Sequence, residues 1–460
     1  MATMTNGVKV VTLNGENAAE KVNIVTEKNK MAAERVGIYI HVPFCRSKCY
    51  YCDFCSKSGS NEAMIEDYVE AACREIDAVA ENIRCGGVGA SVDTYEESGR
   101  GDPAPTDHVC RGGVSPPVIN GLKSQKSEGD DGGVGEKKTL PVADTVYFGG
   151  GTPTLLTVEQ FGRLLDAVKR NFGIAEGAEI TAEANPKTAD REKLAGMRRV
   201  GINRLSIGMQ STHDNELRAL GRIHSFADFE RIFNDAGEVG FDNVSADLMY
   251  GIPEQTRESF KESVRRLVAL SPEHISSYCL TVEEGTNFYR RRDSLNLPDE
   301  DAVAEMYRDM SDILAENGYN KYEISNFARE GRESRHNLKY WQYADYIGIG
   351  PAAHSFFEGV RSSHSRDIEA YIKGEDITDG SDIIEGDEAM CEYVMLAMRL
   401  ARGVDIVKFN EKFGIDFYAK FGREFEKFAP KYVLLDEKAC RFTDEGMFVS
   451  NHILSEVLDF

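Results

Sequence analysis

The densest set of reactive side chains lies in "GIYIHVPFCRSKCYYCDFCS", where Cys45, Cys49 and Cys52 stand at a C-x3-C-x2-C spacing. Thiolates are soft ligands that suit iron–sulfur clusters or zinc. Structural zinc and an ordinary [4Fe–4S] cluster each take four protein ligands. Three close thiolates leave one position vacant, as a cluster requires if a small molecule is to bind its fourth iron and receive an electron there. Cys55 keeps a second arrangement open, since it can complete a zinc knuckle with the other three, although knuckle pairs normally come from two separated C-x-x-C arms. The remaining cysteines, Cys73, Cys85, Cys110, Cys279, Cys391 and Cys440, are scattered through a long chain without an export signal and should stay reduced.

Three further groups of residues have chemical potential. "VYFGGGTPTLL" places Gly149, Gly150 and Gly151, then Thr152, after a short apolar run. Glycines there expose backbone donors and let a ligand approach closely. Glu183 in "ITAEANP", Gln210 in "RLSIGMQS" and Asp247 in "VSADLMYGIPEQT" end apolar runs where a core would reject them. Each alone also reads as a cap or a solvated loop residue; together they form a row of acceptors. "SRHNLKYWQYADYIGIG" carries His336, Asn337, Tyr340 and the single tryptophan, Trp341, and reads as a polar loop leading into an aromatic anchor and a buried strand. No Ser/His/Asp arrangement is visible.

Positioning these groups requires a scaffold, and the apolar periodicity supplies one. Strands are expected over 36–42, 145–148, 179–185, 204–210, 243–250 and 274–280, with helices over 64–83, 157–172, 190–200, 225–239, 256–270 and 299–317. Met64, Tyr68, Ala72, Ile76 and Val79 fall on one face of the first helix, and Thr157 is an N-cap for the second. Alternating strands and helices imply parallel βαβ units that curl into an α/β barrel, with functional residues at the C-terminal ends of the strands. The expected division is a mobile tail over 1–34 and a barrel over 35–355. A Gly-, Pro- and charge-rich insertion interrupts the barrel at about 85–140, and a C-terminal domain covers 381–460. That last part offers helices over 387–401, 405–413 and 417–428, then strand-like pieces over 432–435, 440–443 and 447–450, which suggests a small helical, winged-helix-like fold.

With Tyr51 as its aromatic, C-x3-C-x-aromatic-C resembles the signature of the radical S-adenosylmethionine (SAM) superfamily. From about residue 36 to the end, the chain resembles the family that holds oxygen-independent coproporphyrinogen III dehydrogenase and the HemW-type haem chaperone. The resemblance implies an incomplete (β/α)6 radical SAM barrel with a C-terminal accessory domain. It implies that Cys45, Cys49 and Cys52 hold a [4Fe–4S] cluster with one iron open to SAM. Tyr39, Tyr51, Gly150, Gly151, Thr152, Glu183, Gln210, Arg222 and Asp247 would then contact SAM, and a second SAM is possible in that family. His336, Asn337, Tyr340 and Trp341 match H-N-x-x-Y-W, which resembles the haem-associated motif of the chaperone branch; His336 is the leading haem-ligand candidate, with His41, His354 and His364 as alternatives. His41, beside the cysteine loop, better suits a structural or electron-transfer role.

Within that family the dehydrogenase pattern C-x3-C-x2-C-x-C requires cysteine at position 54, where this chain has Phe54 and its extra thiol one residue later. The implied function is therefore a haem chaperone that passes haem to an unidentified acceptor protein. The alternative is the dehydrogenase, generating a 5′-deoxyadenosyl radical to decarboxylate coproporphyrinogen III oxidatively; a third is a radical SAM enzyme acting on another tetrapyrrole. No catalytic residue is assigned. The formal charge of −23 argues against a nucleic-acid partner. No run reaches the 18 or so apolar residues of a membrane span, and the first 35 residues lack the apolar stretch of a signal peptide, so the expected location is the cytoplasm.

Overall fold

In the computed structural model, residues 34–87 and 138–458 are described. Apart from their edges, the expected tail and insertion lie outside the described residues. Six strands, β1 (Arg35–Val42), β2 (Val142–Gly150), β3 (Ile174–Ala184), β4 (Arg204–Gln210), β5 (Val244–Tyr250) and β6 (His274–Cys279), pair in chain order, all parallel. Their alternation decides what each face buries. Ile38, Ile40, Val146, Phe148, Leu205, Ile207, Ala246 and Leu248 belong to the main apolar core. The residues between them are polar and meet each other inside the curl of the sheet: Tyr147 bonds Glu183, Ser206 bonds Asp247 and Ser245 bonds His274.

The connecting helices are α1 (Glu62–Arg84), α2 (Val158–Phe172), α3 (Arg191–Arg199), α4 (Asp214–Ala219), α5 (Phe226–Glu238), α6 (Arg257–Leu270), α7 (Asn287–Arg290), α8 (Glu300–Glu316) and α9 (Arg335–Trp341). Asn61, Thr157, Asp190, Ser225, Thr256 and Asp299 each accept from a first-turn N–H, so the longer helices start where short polar residues precede the apolar stripe. The sheet continues past the parallel strands through β7 (Asn320–Lys321), β8 (Asn326–Ala328), β9 (Tyr346–Ile349), β10 (His354–Phe357), β11 (Val360–His364) and β12 (Thr378–Ile383). Its order is β12-β11-β10-β9-β1-β2-β3-β4-β5-β6-β8-β7. With β12 and β7 at its two edges, the barrel is incomplete.

Sequence periodicity had assigned nothing to 356–380. The hairpin of β10 and β11 turns on Glu358 and Gly359, both at positive φ, in a two-residue connection whose flanking strands are too polar to show an apolar alternation. After α10 (Ile368–Lys373) come α11 (Gly386–Ala397), β13 (Val404–Asp405), α12 (Ile406–Phe413), α13 (Arg423–Glu426), β14 (Val433–Leu435), β15 (Ala439–Phe442), α14 (Asp444–Phe448) and α15 (Ser450–Val457). A second core centred on Phe409, Phe417, Phe421, Phe425 and Val433 packs these elements around a three-stranded sheet. The helix expected over 417–428 is continuous over 417–426, with a π-helical turn, Tyr418–Gly422, running into α13. One expectation is corrected. Residues 447–450 are helical, because the Thr443 hydroxyl accepts the Gly446 N–H and starts α14 where a strand was expected.

Candidate functional site

Strand β1 delivers the chain into the cysteine loop. Phe44 and Cys45 pair with Lys57 and Ser58, closing the loop on itself. Cys45, Cys49 and Cys52 all face one cavity at the C-terminal ends of the parallel strands, about 1100 Å3 including its mouth. The Cys45 sulfur lies 3.4 Å from the Thr152 hydroxyl, and Arg222 Nη1 donates to the Cys49 sulfur at 3.4 Å. Burial pushes the Cys52 thiol up to about 12, reinforced by the neighbouring Cys49, and raises Cys45 as well. Metal binding at this loop would displace protons from the buried thiols.

Cys55 is oriented elsewhere. Its sulfur packs in the main core and contacts the Arg366 carbonyl, while its own carbonyl accepts from His41 Nε2 at 2.9 Å. A four-thiol zinc knuckle would need sulfurs about 3.8 Å apart around one ion. Among the described residues no three His, Cys, Asp or Glu side chains converge in that manner. Cys45, Cys49 and Cys52 border one open cavity, and Cys55 does not.

The glycine loop forms the next wall. Gly150 has φ +103°, and a Cβ on it would strike the His41 ring; one on Gly151 would come within 2.5 Å of the Phe44 carbonyl. The Gly150 N–H donates to Glu183 Oε2 at 3.2 Å, and the Tyr147 hydroxyl donates to Glu183 Oε1 at 2.9 Å. Burial, with the Asp247 charge beside it, raises the Glu183 carboxyl to about 8. Asp247 accepts from the Ser206 hydroxyl at 2.9 Å. Gln210 is a non-glycine residue at φ +67°, and its buried Oε1, on the cavity wall, has no partner. Strained backbone and an unpaired buried acceptor beside a cavity are marks of a ligand site. Arg222 completes the wall, with Nη2 donating to the Gly208 carbonyl at 2.9 Å and to Asn185.

The cavity thus gathers Tyr51, Gly150, Gly151, Thr152, Glu183, Gln210, Arg222 and Asp247 with the three thiols. Tyr39 is not on its wall; it lies one layer lower, stacked on Tyr147 and bonded to His41 Nδ1 at 3.2 Å. The sequence reading missed Asn185, Ser206, Met249, Tyr278 and Cys279, which also line the space. All but Ser206, which lies within β4, occupy the ends of β3, β5 and β6, so the rule that function sits at strand ends would have found them.

The His336 motif lies elsewhere. It forms α9, which plugs the N-terminal end of the barrel: Arg335 and His336 donate their N–H groups to the Glu179 carboxylate, each at 3.0 Å. His336 is 1% exposed, with Nδ1 2.8 Å from the Thr145 hydroxyl and Nε2 2.9 Å from the Tyr340 hydroxyl. Thr145 precedes Gly149 by four residues on β2, so this floor lies about 13 Å below the glycine loop. The expectation of an imidazole open to a haem iron is not met in this arrangement. Asn337 and Trp341 share the half-buried outer face of the helix. Tyr340 joins Tyr346, Phe356, Ile384 and Ala389 in an apolar seam toward α11. His41, His354 and His364 are also hydrogen-bonded or packed away from the cavity wall.

Residues 137–267 match the family described as "Radical SAM superfamily" and residues 384–449 the "HemN C-terminal domain". The superfamily match implies a [4Fe–4S] cluster and SAM. The chain is 31% identical over 429 residues to the Heme chaperone HemW of Bacillus subtilis, covering 91% of this chain and 98% of that protein. It is 32% identical over 379 residues to the Heme chaperone HemW of Escherichia coli, covering 81% and 85%. Among solved structures it is similar to the coproporphyrinogen III oxidase HemN of Escherichia coli, a radical SAM enzyme, with a TM-score of 0.69 at 20% identity over 93% of this chain and 90% of that one. That likeness concerns the fold.

Proposed function

The chain belongs to the radical SAM family that includes the Heme chaperone HemW, and from that premise we propose that it is a haem chaperone of the HemW type, binding haem and handing it to an acceptor protein. The observation that carries this reading over the dehydrogenase is the wall of the cavity at positions 54 and 55. Phe54 lines the cavity where the dehydrogenase pattern needs a thiol, and Cys55 is turned into the core.

Cys45, Cys49 and Cys52 would hold the cluster, and the vacant side of their cavity would receive SAM. When bound, the cluster supplies a redox centre with one iron free for an external ligand. Glu183, held by Tyr147 and Gly150, would meet the cationic end of SAM, whose charge would favour ionisation of its raised carboxyl. Gln210 offers its unpaired oxygen, and Asp247 is steadied by Ser206. Arg222 ties the Cys49 sulfur to Asn185 and the β4 backbone, fixing the cluster loop against the barrel. The motif from His336 to Trp341 serves haem handling indirectly, by sealing the floor and joining the barrel to α11.

Among the described residues no helix is long and apolar enough to cross a membrane; the proposed setting is the cytoplasm. The deciding experiment reconstitutes the protein anaerobically, then measures haem titration and coproporphyrinogen III turnover on one sample. Stoichiometric haem uptake without turnover is expected. Sustained protoporphyrinogen formation refutes the chaperone reading.

A further inference from the structure

One buried charge inside the barrel lies outside the cavity wall. Arg204, the first residue of β4, is 2% exposed and the largest of the most deeply buried side chains. Leu205 and Ile207 belong to the core, so Arg204 and Ser206 face the interior of the curl. Among the described residues the Arg204 guanidinium has no ion pair and no hydrogen bond, and its buried Nε is left without a partner. A buried arginine ordinarily holds a carboxylate. Desolvating one for packing alone is costly, and an apolar side chain of that volume would serve better.

Strand register gives this charge a role. Arg204 pairs with Thr181 on β3, which pairs with Tyr147 on β2 and through it with Tyr39 on β1. These four form the layer between the cavity and the His336 floor. Glu183 stands two residues beyond Thr181 on the same face and pairs with Ser206. It is one diagonal step from Arg204, about 8 Å between backbones and within reach of so long a side chain. Ser206 in turn binds Asp247. Burial raises both carboxyls, and the Arg204 charge draws each back down. The other groups facing Glu183 are Asp247 from β5 and the hydroxyls of Tyr39, Tyr147, Tyr278 from β6 and Tyr340 from α9, all four kept neutral by burial. Burial also holds His274 and His336, on the far side of Arg204, neutral. Arg222, on the cavity wall, acts on Asp247 but gives its donors to Cys49, Asn185 and the Gly208 carbonyl.

We propose that Arg204 is a positioning residue for SAM, a counter-charge in the layer beneath the cavity that holds Glu183 and Asp247 as carboxylates facing the cationic ligand. The proposal rests on the SAM reading above and is independent of haem. A merely structural arginine would grip carbonyls or bridge two elements, and among the described residues this one does neither. Its effect has a sign. Removing the cation raises the Glu183 carboxyl further, so the pH above which SAM binds well moves up.

The test uses the full chain, the neutral and similarly long Arg204→Met, and Arg204→Lys as the charge-conserving variant. Two readouts are taken. One is the SAM affinity of the cluster-loaded protein, by equilibrium dialysis from about pH 6 to 10. The other, in the cluster-free chain, is the infrared carbonyl stretch of the protonated Glu183 carboxyl, identified by its loss in Glu183→Gln. With the wild-type carboxyl near 8, Arg204→Met is expected to raise the infrared midpoint by about one unit and to weaken SAM binding about tenfold at pH 7, a gap that closes as pH rises. Arg204→Lys should restore most of both, and Arg204→Met should cost far less affinity in the Glu183→Gln background. Should Arg204→Met not fold, Arg204→Gln carries the same test. An unshifted infrared midpoint overturns the proposal. So does a loss of affinity that is equal at every pH or that lysine does not restore, which marks a structural role. A wild-type chain that loads a cluster but binds no SAM refutes the SAM reading and the proposal with it; one that binds SAM but no haem refutes only the chaperone function.

Discussion

Replacing His336 by alanine distinguishes a buried structural imidazole from a haem ligand. The ring satisfies two buried hydroxyls, Thr145 and Tyr340, and stacks on Tyr147 with centroids 5.2 Å apart. Truncation orphans both hydroxyls at about 1–3 kcal/mol each. Loss of the ring contacts adds about 1 kcal/mol, and an unfilled cavity adds to that. A total near 4–6 kcal/mol is a large share of the roughly 5–15 kcal/mol that holds a domain folded. The expected result is a fall in the apo-protein melting temperature on the order of 10 °C, read by circular dichroism, with the haem affinity of the folded fraction unchanged. Acid titration gives a second readout. Burial, then the Lys339 and Arg204 charges, hold the His336 pKa at about 3. The folded ring therefore stays neutral while the unfolded ring takes a proton below its ordinary 6.5. Its contribution is complete above about pH 6.5 and is lost as pH falls toward 3. The alanine variant should show a flatter stability curve over that window. A variant that melts like wild type and loses haem binding refutes the floor assignment and restores His336 as an iron ligand.

Cys55→Ser should leave iron content and the cluster absorbance near 400 nm unchanged, whereas Cys52→Ser should lose both; loss on Cys55→Ser would make that thiol a ligand. Glu183→Gln should weaken SAM binding about tenfold or more. Because burial holds the Glu183 carboxyl near 8, wild-type SAM affinity should rise with pH from 6 to 8 and then level, as equilibrium dialysis would show, while the glutamine variant stays flat. Arg361→Met strands the buried Glu392 carboxylate, its ion-pair partner between β11 and α11, and should cost about 3–5 kcal/mol. Adding Glu392→Leu should recover most of that in a thermal melt, and no recovery would mean that Arg361 acts through packing.

Much of this was legible because the signals were local. The cap Thr157 marked its helix start to the residue, and the six parallel strands announced themselves by short apolar runs. Glu183, Gln210 and Asp247 stood out because a polar residue ending such a run needs a reason. Tertiary facts were not legible. Nothing in "SRHNLKYW" says that its helix will be capped by Glu179, more than 150 residues earlier, and that this sends His336 to the floor. Tyr39 and Tyr147 alternate correctly to face the interior, but only depth along the strand separates a cavity wall from the layer beneath it.

The same distinction explains why a one-residue offset carries so much of the functional argument. Residues 54 and 55 lie in a bend of the loop that sends their side chains to different places, so a thiol at 54 and a thiol at 55 are not near-equivalents. At 54 the side chain joins the cavity with Cys45, Cys49 and Cys52; at 55 it joins the core beside His41 and the Arg366 carbonyl. Moving sulfur by one position removes it from the site altogether and leaves an aromatic ring in its place. The cavity thereby keeps three thiols, Cys45, Cys49 and Cys52, and gains an apolar wall at Phe54. The direction in which a residue of the loop points thus decides whether it reaches the cavity or the core.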